Sequence, residues 1–391
     1  MKVNCARPRS SSVCYKEREN RMVQEEVYIG IDLTDSWTQV SYFRPGMEDA
    51  ETISMVAGES RYRISTIPYK KEENGEELLL QFLRKVICFV PGISDPQEVS
   101  AVAFHLPELQ MKEILLLKKI MGQLGIEGDR VFIQDDKESF CHFALNQKKE
   151  LALHDVVLFC CEENDLSCLY LTRNGKSTPQ KIEITEKSLG QLPEEPEERD
   201  RCFAEAAAEV LAGKLVSAVY LTGEGLLGGW LAESLSLLCR GRKVFQGRNL
   251  YTRGACFGSY LQVHKEACAY VFLGEYKLKK NVLLQVRQQD RTFFKDLAEA
   301  GSSFSEVHGS CQVLLSGEPF VDIWLQEPDS QNARIDSLEL LDLPKRPDKA
   351  TRLLVEAVSA GVDKIVIRIT DLGFGQWYAS SGKVWEYYID E

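Results

Sequence analysis

The sequence has no apolar run approaching the roughly 20 residues that a membrane-spanning helix needs. It has no excess of positive charge either. Its 47 Lys and Arg are outnumbered by 59 Asp and Glu, leaving a net charge of −12. Nucleic acids and anionic membrane surfaces would be repelled, so neither is an expected partner. None of the 12 cysteines forms a C-x-x-C pair. Only Cys160, Cys161 and Cys168 lie close together, and adjacent strand residues face opposite ways, so no metal site is expected. Most cysteines sit in apolar stretches, as small buried hydrophobes do in a reducing cytosol. The five histidines, His105, His142, His154, His264 and His308, are scattered and give no sign of a catalytic one. Residues 1–26 are polar and lack the apolar core of a secretory signal. They read as a disordered leader on a cytoplasmic protein.

What is present is ample apolar material, 44% of the residues, in a chain long enough for two or three domains. Residues 27–43 alternate β-branched and aromatic side chains around a polar turn, which predicts a hairpin. Strands are expected over 51–56, 62–69, 99–106 and 130–134, and helices over 76–90, 107–124 and 137–147. The pattern then restarts. Strands are expected over 155–161, 166–172 and 181–185, then an acidic link over 191–200. A helix follows over 202–215, a strand over 217–221 and helices over 229–238 and 250–265, with a short strand at 243–246. Two groups of three strands, each followed by helix–strand units, predict a tandem duplication of one α/β unit. After about residue 270 short alternating strands predominate, with turns such as Ser316-Gly317-Glu318-Pro319. That predicts a β-sandwich.

Two distant segments carry the chemistry. Gly30-Ile31-Asp32-Leu33, running into Thr34-Asp35-Ser36-Trp37, resembles the first phosphate motif of the actin and DnaK-type chaperone superfamily. Leu221-Thr222-Gly223-Glu224-Gly225 resembles its adenosine motif. Between them, Asp135 falls where an acidic residue precedes a helix, and Cys160 to Asp165 falls on the second phosphate motif. Gly254-Ala255 falls on the small-residue helix of the second half. The segments Pro344-Lys345-Arg346-Pro347 and Asp371-Leu372-Gly373-Phe374-Gly375 resemble the chaperone β-sandwich. From Val27 onward the chain is more closely similar to an uncharacterised clostridial family, a domain of unknown function. The resemblance implies an actin-like, duplicated RNase H-like, two-lobed α/β domain, with lobes at 27–150 and 151–270. A β-sandwich like the chaperone substrate-binding domain follows at 271–391. It implies ATP or ADP with Mg²⁺ as cofactor. Asp32 and Asp135 are the catalytic candidates, and Asp32, Thr34, Asp35, Ser36, Gly223, Glu224, Gly225 and Gly254 the nucleotide-binding ones.

The departures from the motifs shape the expected function. Phosphate turns use glycine because backbone N–H groups must approach phosphate oxygens closely. Here the first turn has no glycine, and the second offers Cys160, Cys161, Glu162, Glu163 and Asn164. The expectation is a cytoplasmic, non-hydrolysing pseudo-ATPase that binds nucleotide weakly or not at all and works through an unidentified protein or peptide partner. The alternatives are an active chaperone-like ATPase with a peptide-binding sandwich, and a sugar or acid kinase of the same fold. Several candidates have everyday roles as well. Asp32 can serve its own turn, Asp135 can cap a helix, and Gly254 can permit close helix packing. Arg240, Arg242, Lys243 and Arg248 form a candidate anion site or a solvated loop. Trp377 is a candidate peptide contact, although burial is the expected fate of the aromatics over 371–388.

Overall fold

The computed structural model describes residues 26–55, 62–174, 179–289, 291–330, 332–361 and 364–389. The leader expected over residues 1–26 lies outside the described residues except for Glu26.

The first sheet begins with β1 (Tyr28–Leu33) and β2 (Trp37–Phe43), an antiparallel hairpin. Two-residue strands β3 (Glu51–Thr52) and β4 (Ile64–Ser65) pair with β2, where the sequence predicts longer ones. Helix α1 (Gly75–Ile87) leads to β5 (Ala101–His105), parallel to β1. Helix α2 (Met111–Gln123) leads to β6 (Val131–Gln134), parallel to β5, and α3 (Asp136–Leu145) follows.

The second sheet repeats this order. β7 (Asp155–Glu162), β8 (Asp165–Asn174) and β9 (Gln180–Gln191) form an antiparallel meander. Helix α4 (Pro196–Leu211) precedes β10 (Val216–Thr222), which runs parallel to β7. Helix α5 (Ala232–Leu238) precedes β11 (Lys243–Gln246), parallel to β10, and α6 (Leu250–Val263) follows. An extra strand, β12 (Tyr270–Phe272), joins the outer edge beside β9. Thus β3-β2-β1-β5-β6 and β9-β8-β7-β10-β11 share one strand order and one pattern of directions.

The helices after the two sheets are exchanged. Phe140, Cys141 and Phe143 of α3 pack with Val156, Leu158 and Leu169 of the second sheet. Helix α6 lies on the first sheet, where Cys256 donates to the Tyr28 carbonyl and Thr252 to that of Gly30. Side-chain alternation explains the close approach. Ile29, Ile31, Val102 and Phe104 face α1 and α2 in one core. Gly30, Ala101 and Ala103, all small, fall on the opposite face. A Cβ at Gly30 would sit 2.1 Å from the Thr252 carbonyl oxygen. The exchanged helices cross at Gly254, where a Cβ would lie 1.9 Å from the Ser139 carbonyl oxygen.

The C-terminal region is β-rich. Strands β13 (Asn281–Gln288), β14 (Arg291–Ala298), β15 (His308–Leu314), β16 (Phe320–Gln326) and β17 (Ala333–Glu339) are followed by β18 (Arg352–Ser359), β19 (Ile365–Gly373) and β20 (Val384–Ile389). They form two four-stranded sheets, β14-β13-β16-β17 and β15-β18-β19-β20. Val282, Ile323 and Leu325 of one sheet and Leu353, Val355, Ile367 and Ile369 of the other share one core, as in a sandwich. Arg346 is clamped bidentately to the fully buried Asp371 at 2.7 and 2.8 Å. Asp371 also accepts from the backbone N–H of Gly373 and from both the N–H and hydroxyl of Ser381.

The expected burial of the aromatics over 371–388 holds only in part. Trp385 is buried, with its ring N–H donating to the Leu341 carbonyl. Trp377, in the turn after β19, is 84% exposed, and Tyr388 is also exposed. The turn residues around Trp377 point outward, and the neighbouring core is already filled by Ile367, Ile369 and Trp385.

The sandwich is tied to the α/β part by ion pairs. Buried Lys277 meets Glu138 of α3 at 2.7 Å, and Lys181 of β9 meets Asp329 at 2.6 Å. Among the described residues no helix is long and apolar enough to cross a membrane, and no cysteine is in a disulfide.

Candidate functional site

The carboxyl ends of β1 and β5 open toward those of β7 and β10, and the sequence-predicted phosphate and adenosine segments meet there. On the first sheet, Asp32 and His105 are register partners on neighbouring parallel strands. Gln39 lies beside Asp32, and Gln134 beside His105. These four polar side chains therefore form one row across the sheet, on the face covered by α6, and all are buried. His105 Nδ1 lies 2.8 Å from Asp32 Oδ1, and Nε2 lies 2.7 Å from Asp136 Oδ1. Tyr251 of α6 stacks on the ring at 4.5 Å with an interplanar angle of 7°. Burial alone would lower the pKa of this imidazole, but the Asp32 charge and the bonds to Asp136 and Asp32 outweigh it. The net effect raises the pKa to about 10. His105 is therefore an imidazolium at neutral pH, held between two carboxylates. The relay runs from Asp32, 2% exposed, to Asp136, 44% exposed.

The catalytic candidates thus separate. Asp32 is in the centre. Asp135 is not the residue that meets His105. Its Oδ1 accepts from the Glu138 N–H at 2.8 Å, which makes it the N-cap of α3. The next residue, Asp136, faces the cleft instead. His105, set aside in sequence because the histidines are scattered, is the group that joins them.

The first turn is closed on itself. Thr34 Oγ1 donates to the Trp37 carbonyl at 2.7 Å and accepts from the Trp37 N–H at 3.1 Å. Asp35 is exposed and pairs with Lys70 at 2.8 Å. The Ser36 carbonyl accepts from the Thr66 N–H. Trp37 lies under the Arg63 guanidinium at 4.4 Å, and Arg63 reaches across to Glu224 at 2.6 Å. Arg248, from the candidate anion group, is 4.0 Å from Glu224. Arg242 donates to the Leu238 carbonyl.

Across the cleft the second phosphate segment and the adenosine glycines pack on one another. Gly223 has φ +90, and a Cβ there would lie 2.3 Å from the Cys161 carbonyl oxygen. A Cβ at Gly225 would meet Cys161 Sγ and the Glu163 carbonyl oxygen within 2.7 Å. Buried Arg199 holds these turns together, donating to Asn164 Oδ1 and to the carbonyls of Glu163 and Gly225. Gly254 lies in the helix crossing, away from this turn cluster. Cys160 stands where the motif has a metal-orienting acid. Burial, with the Glu162 and Asp136 charges, pushes its thiol up to about 12, so it stays protonated. Among the described residues no group of three or more His, Cys, Asp or Glu side chains is arranged to hold a metal ion.

Glu163 has φ +53, a left-handed conformation that glycine adopts without penalty. Glu163→Gly is therefore expected to stabilise the protein by about 1 kcal/mol. A rise in urea midpoint at unchanged slope is the check, and a fall would show that the side chain supports the turn.

The residues fit Mg²⁺-nucleotide poorly. Asp32 is neutralised by His105, the Thr34 hydroxyl is engaged within its own turn, and the glycine turn is filled by Cys161 and Glu163. Asp136 and Glu162 add negative charge at the same place, offset in part by Arg63, which is already paired with Glu224. Two like charges 4 Å apart repel by about 4 kcal/mol at an effective dielectric of 20.

No curated protein matches the sequence. Among solved structures, the chain is similar to an inorganic polyphosphate/ATP-glucomannokinase from Arthrobacter sp. strain KM, at 13% identity and a TM-score of 0.42. That match covers 61% of this chain and 99% of the other. A ROK hexokinase from Thermus thermophilus gives 12% identity and a TM-score of 0.41, with the same coverage. A ROK family transcriptional regulator, homologous to the E. coli MLC protein, gives 10% identity, 63% and 81% coverage and a TM-score of 0.40. No activity passes from these proteins to this chain. Two family models match its sequence: a domain of unknown function, DUF8552, over residues 277–390, and the C-terminal part of a family of unknown function, DUF5716, over 67–275. The second spans more than half of the sequence and the whole second sheet, and the chain belongs to that DUF5716 family.

Proposed function

We propose that this chain is a non-hydrolysing, cytoplasmic actin-like protein whose cleft is closed by its own side chains and which acts through contacts with another protein. The observation that carries this reading is the state of Asp32. In the superfamily that its segment resembles, this carboxylate holds the metal's water shell. Here it is buried and bonded to an imidazolium. The closed Thr34–Trp37 turn, the Arg63–Glu224 bridge and the protonated Cys160 support the same reading. The exposed aromatics Trp377 and Tyr388 make the sandwich the surface favoured for a partner. The full chain with Mg²⁺ and ATP is expected to release phosphate no faster than a buffer blank. Turnover abolished by Asp32→Ala would overturn the reading and favour a chaperone-like ATPase.

A second reading rests on Asp136. A half-exposed carboxylate bonded to a buried His–Asp pair has the arrangement of a general base facing a cleft. ATP-dependent phosphorylation of a sugar or acid hydroxyl, lost in Asp136→Asn, would favour a kinase instead.

A further inference from the structure

Strand β20 ends the second sandwich sheet and pairs only with β19 among the described residues. One bond fixes which way its backbone faces. The Asp371 N–H donates to the Lys383 carbonyl at 3.0 Å, so residues 371 and 383 are a hydrogen-bonded pair of the antiparallel ladder. Such pairs alternate along the strands. Trp385, Tyr387 and Ile389 therefore turn their N–H and C=O groups toward β19, and Val384, Glu386 and Tyr388 turn theirs to the open side. The side chains of these last three are exposed on the outer face. The inner face is sealed, because Trp385 and Tyr387 donate to the carbonyls of Leu341 and Glu339.

Edge strands are normally guarded by Lys, Pro, a bulge or a covering element. In the other sheet, the end strands carry Arg291 and Lys295 on β14 and Arg334 and Asp336 on β17. β15, at the far end of the same sheet, is covered where it packs on β14: a Cβ at Gly309 would lie 1.8 Å from the Leu297 carbonyl oxygen. β20 reads Val-Trp-Glu-Tyr-Tyr-Ile, with no Lys, no Pro and no break in register. Its one charge, Glu386, is tied to Arg368 at 2.8 Å.

The outer face defines the partner's chemistry. Glu356, Arg368 and Glu386 are register partners across β18, β19 and β20. This row holds two acids to one base, so a basic residue opposite Glu386 completes the alternation of sign. Val384 and Tyr388, 51% and 67% exposed, call for apolar residues on either side of it. A second copy of this chain fits less well. An antiparallel pairing that used all three open positions would set Glu386 against its own counterpart, between chains of net charge −12. We infer that the open edge of β20 binds an extended segment of a partner protein, added antiparallel, with a basic residue against Glu386 and apolar residues against Val384 and Tyr388. The inference deepens the proposed function and rests on it only for the sandwich as the partner's surface; the state of the cleft does not enter.

The test is fluorescence anisotropy of a labelled peptide, Gly-Val-Thr-Lys-Thr-Val-Gly, titrated with the full chain. Saturable binding with a dissociation constant of about 100 μM or tighter is expected. Two altered peptides should each bind at least about tenfold more weakly. One has Glu in place of the Lys. The other is N-methylated at the Lys, which removes the N–H aimed at the Glu386 carbonyl and leaves every side chain in place. On the protein side, Val384→Pro removes an outward N–H that no bond to β19 uses, and should also weaken binding at least about tenfold. Glu386→Lys should reverse the preference, from the Lys peptide to the Glu peptide. Should Val384→Pro fail to fold, the N-methylated peptide and the reversal decide. The inference is overturned if the Lys peptide does not saturate, if N-methylation has no effect, or if Glu386→Lys leaves the preference unchanged. A full chain that sediments as a dimer and is split by Val384→Pro would give the edge to a second copy and overturn it as well. Phosphate release separates this inference from the proposed function. Turnover with peptide binding intact overturns the function alone, and a blank without peptide binding overturns the inference alone.

Discussion

Replacing His105 by leucine should destabilise the α/β part by about 3–5 kcal/mol, the range for removing one partner of a buried ion pair. The cost arises from Asp32, which is left buried and without its counter-charge. The double variant Asp32→Val, His105→Leu should recover at least half of the loss, because a buried pair replaced as a unit leaves no orphan charge. If the double variant is no better than the single, the pair is not the source of the stability. The same pair gives a pH signature. The folded pKa of His105, about 10, lies above the unfolded value of about 6.5. The folded state therefore binds the extra proton between these values, and stability falls as pH rises. The pair's contribution is complete below about pH 6.5 and is lost as pH climbs through about 10. The gap in urea midpoint between wild type and the double variant should narrow steadily over that window. A gap independent of pH would contradict a charged His105.

Arg346→Met should destabilise the sandwich by about 3–5 kcal/mol for a related reason. Asp371 would keep its three donors from Gly373 and Ser381 but lose the only cation bonded to it among the described residues. Its pH behaviour is opposite to that of His105. The Arg346 bond, opposed by burial and aided by the Ser381 and Gly373 donors, holds the Asp371 carboxyl well below the usual carboxylate range. Its contribution is complete above about pH 4, the unfolded value, and is lost only in stronger acid. Wild type and Arg346→Met should therefore differ by a constant amount from pH 5 to 9 and converge in acid. One buried pair should fail in alkali and the other in acid, which separates them in a single pair of titrations.

Much of the architecture was legible in the sequence because it rests on local pattern. The continuous apolar runs of β1, β7 and β10 and the turn at Gly223 follow from periodicity and glycine placement. The sequence pattern places the start of helix α4 at residue 202, six residues late. Pro196 and its acidic neighbours look like a linker, but Pro at the first helical position with Glu197 and Glu198 after it is a good helix start. Nothing in the pattern of β14 marks it as a strand, because six of its eight residues are exposed and show no alternation. The site was legible only in part, because it is assembled by register. Asp32 and His105 are 73 residues apart and become neighbours only when β1 and β5 pair in parallel. A histidine at the end of Ala-Val-Ala-Phe-His carries no local sign of that. Which of Asp135 and Asp136 faces the cleft is likewise set by which one caps α3. Arg346 and Asp371 fall in the two segments that resemble a chaperone sandwich, and only the folded chain shows that they bind each other.

The cleft, closed by contacts among its described residues, is proposed not to take a nucleotide. Isothermal titration of the full chain with ATP and with ADP, each with Mg²⁺ in excess, tests it most directly. No saturable heat is expected for either nucleotide. A dissociation constant of about 1 mM or tighter, worth about 4 kcal/mol of binding, and abolished by Asp32→Asn, would contradict it.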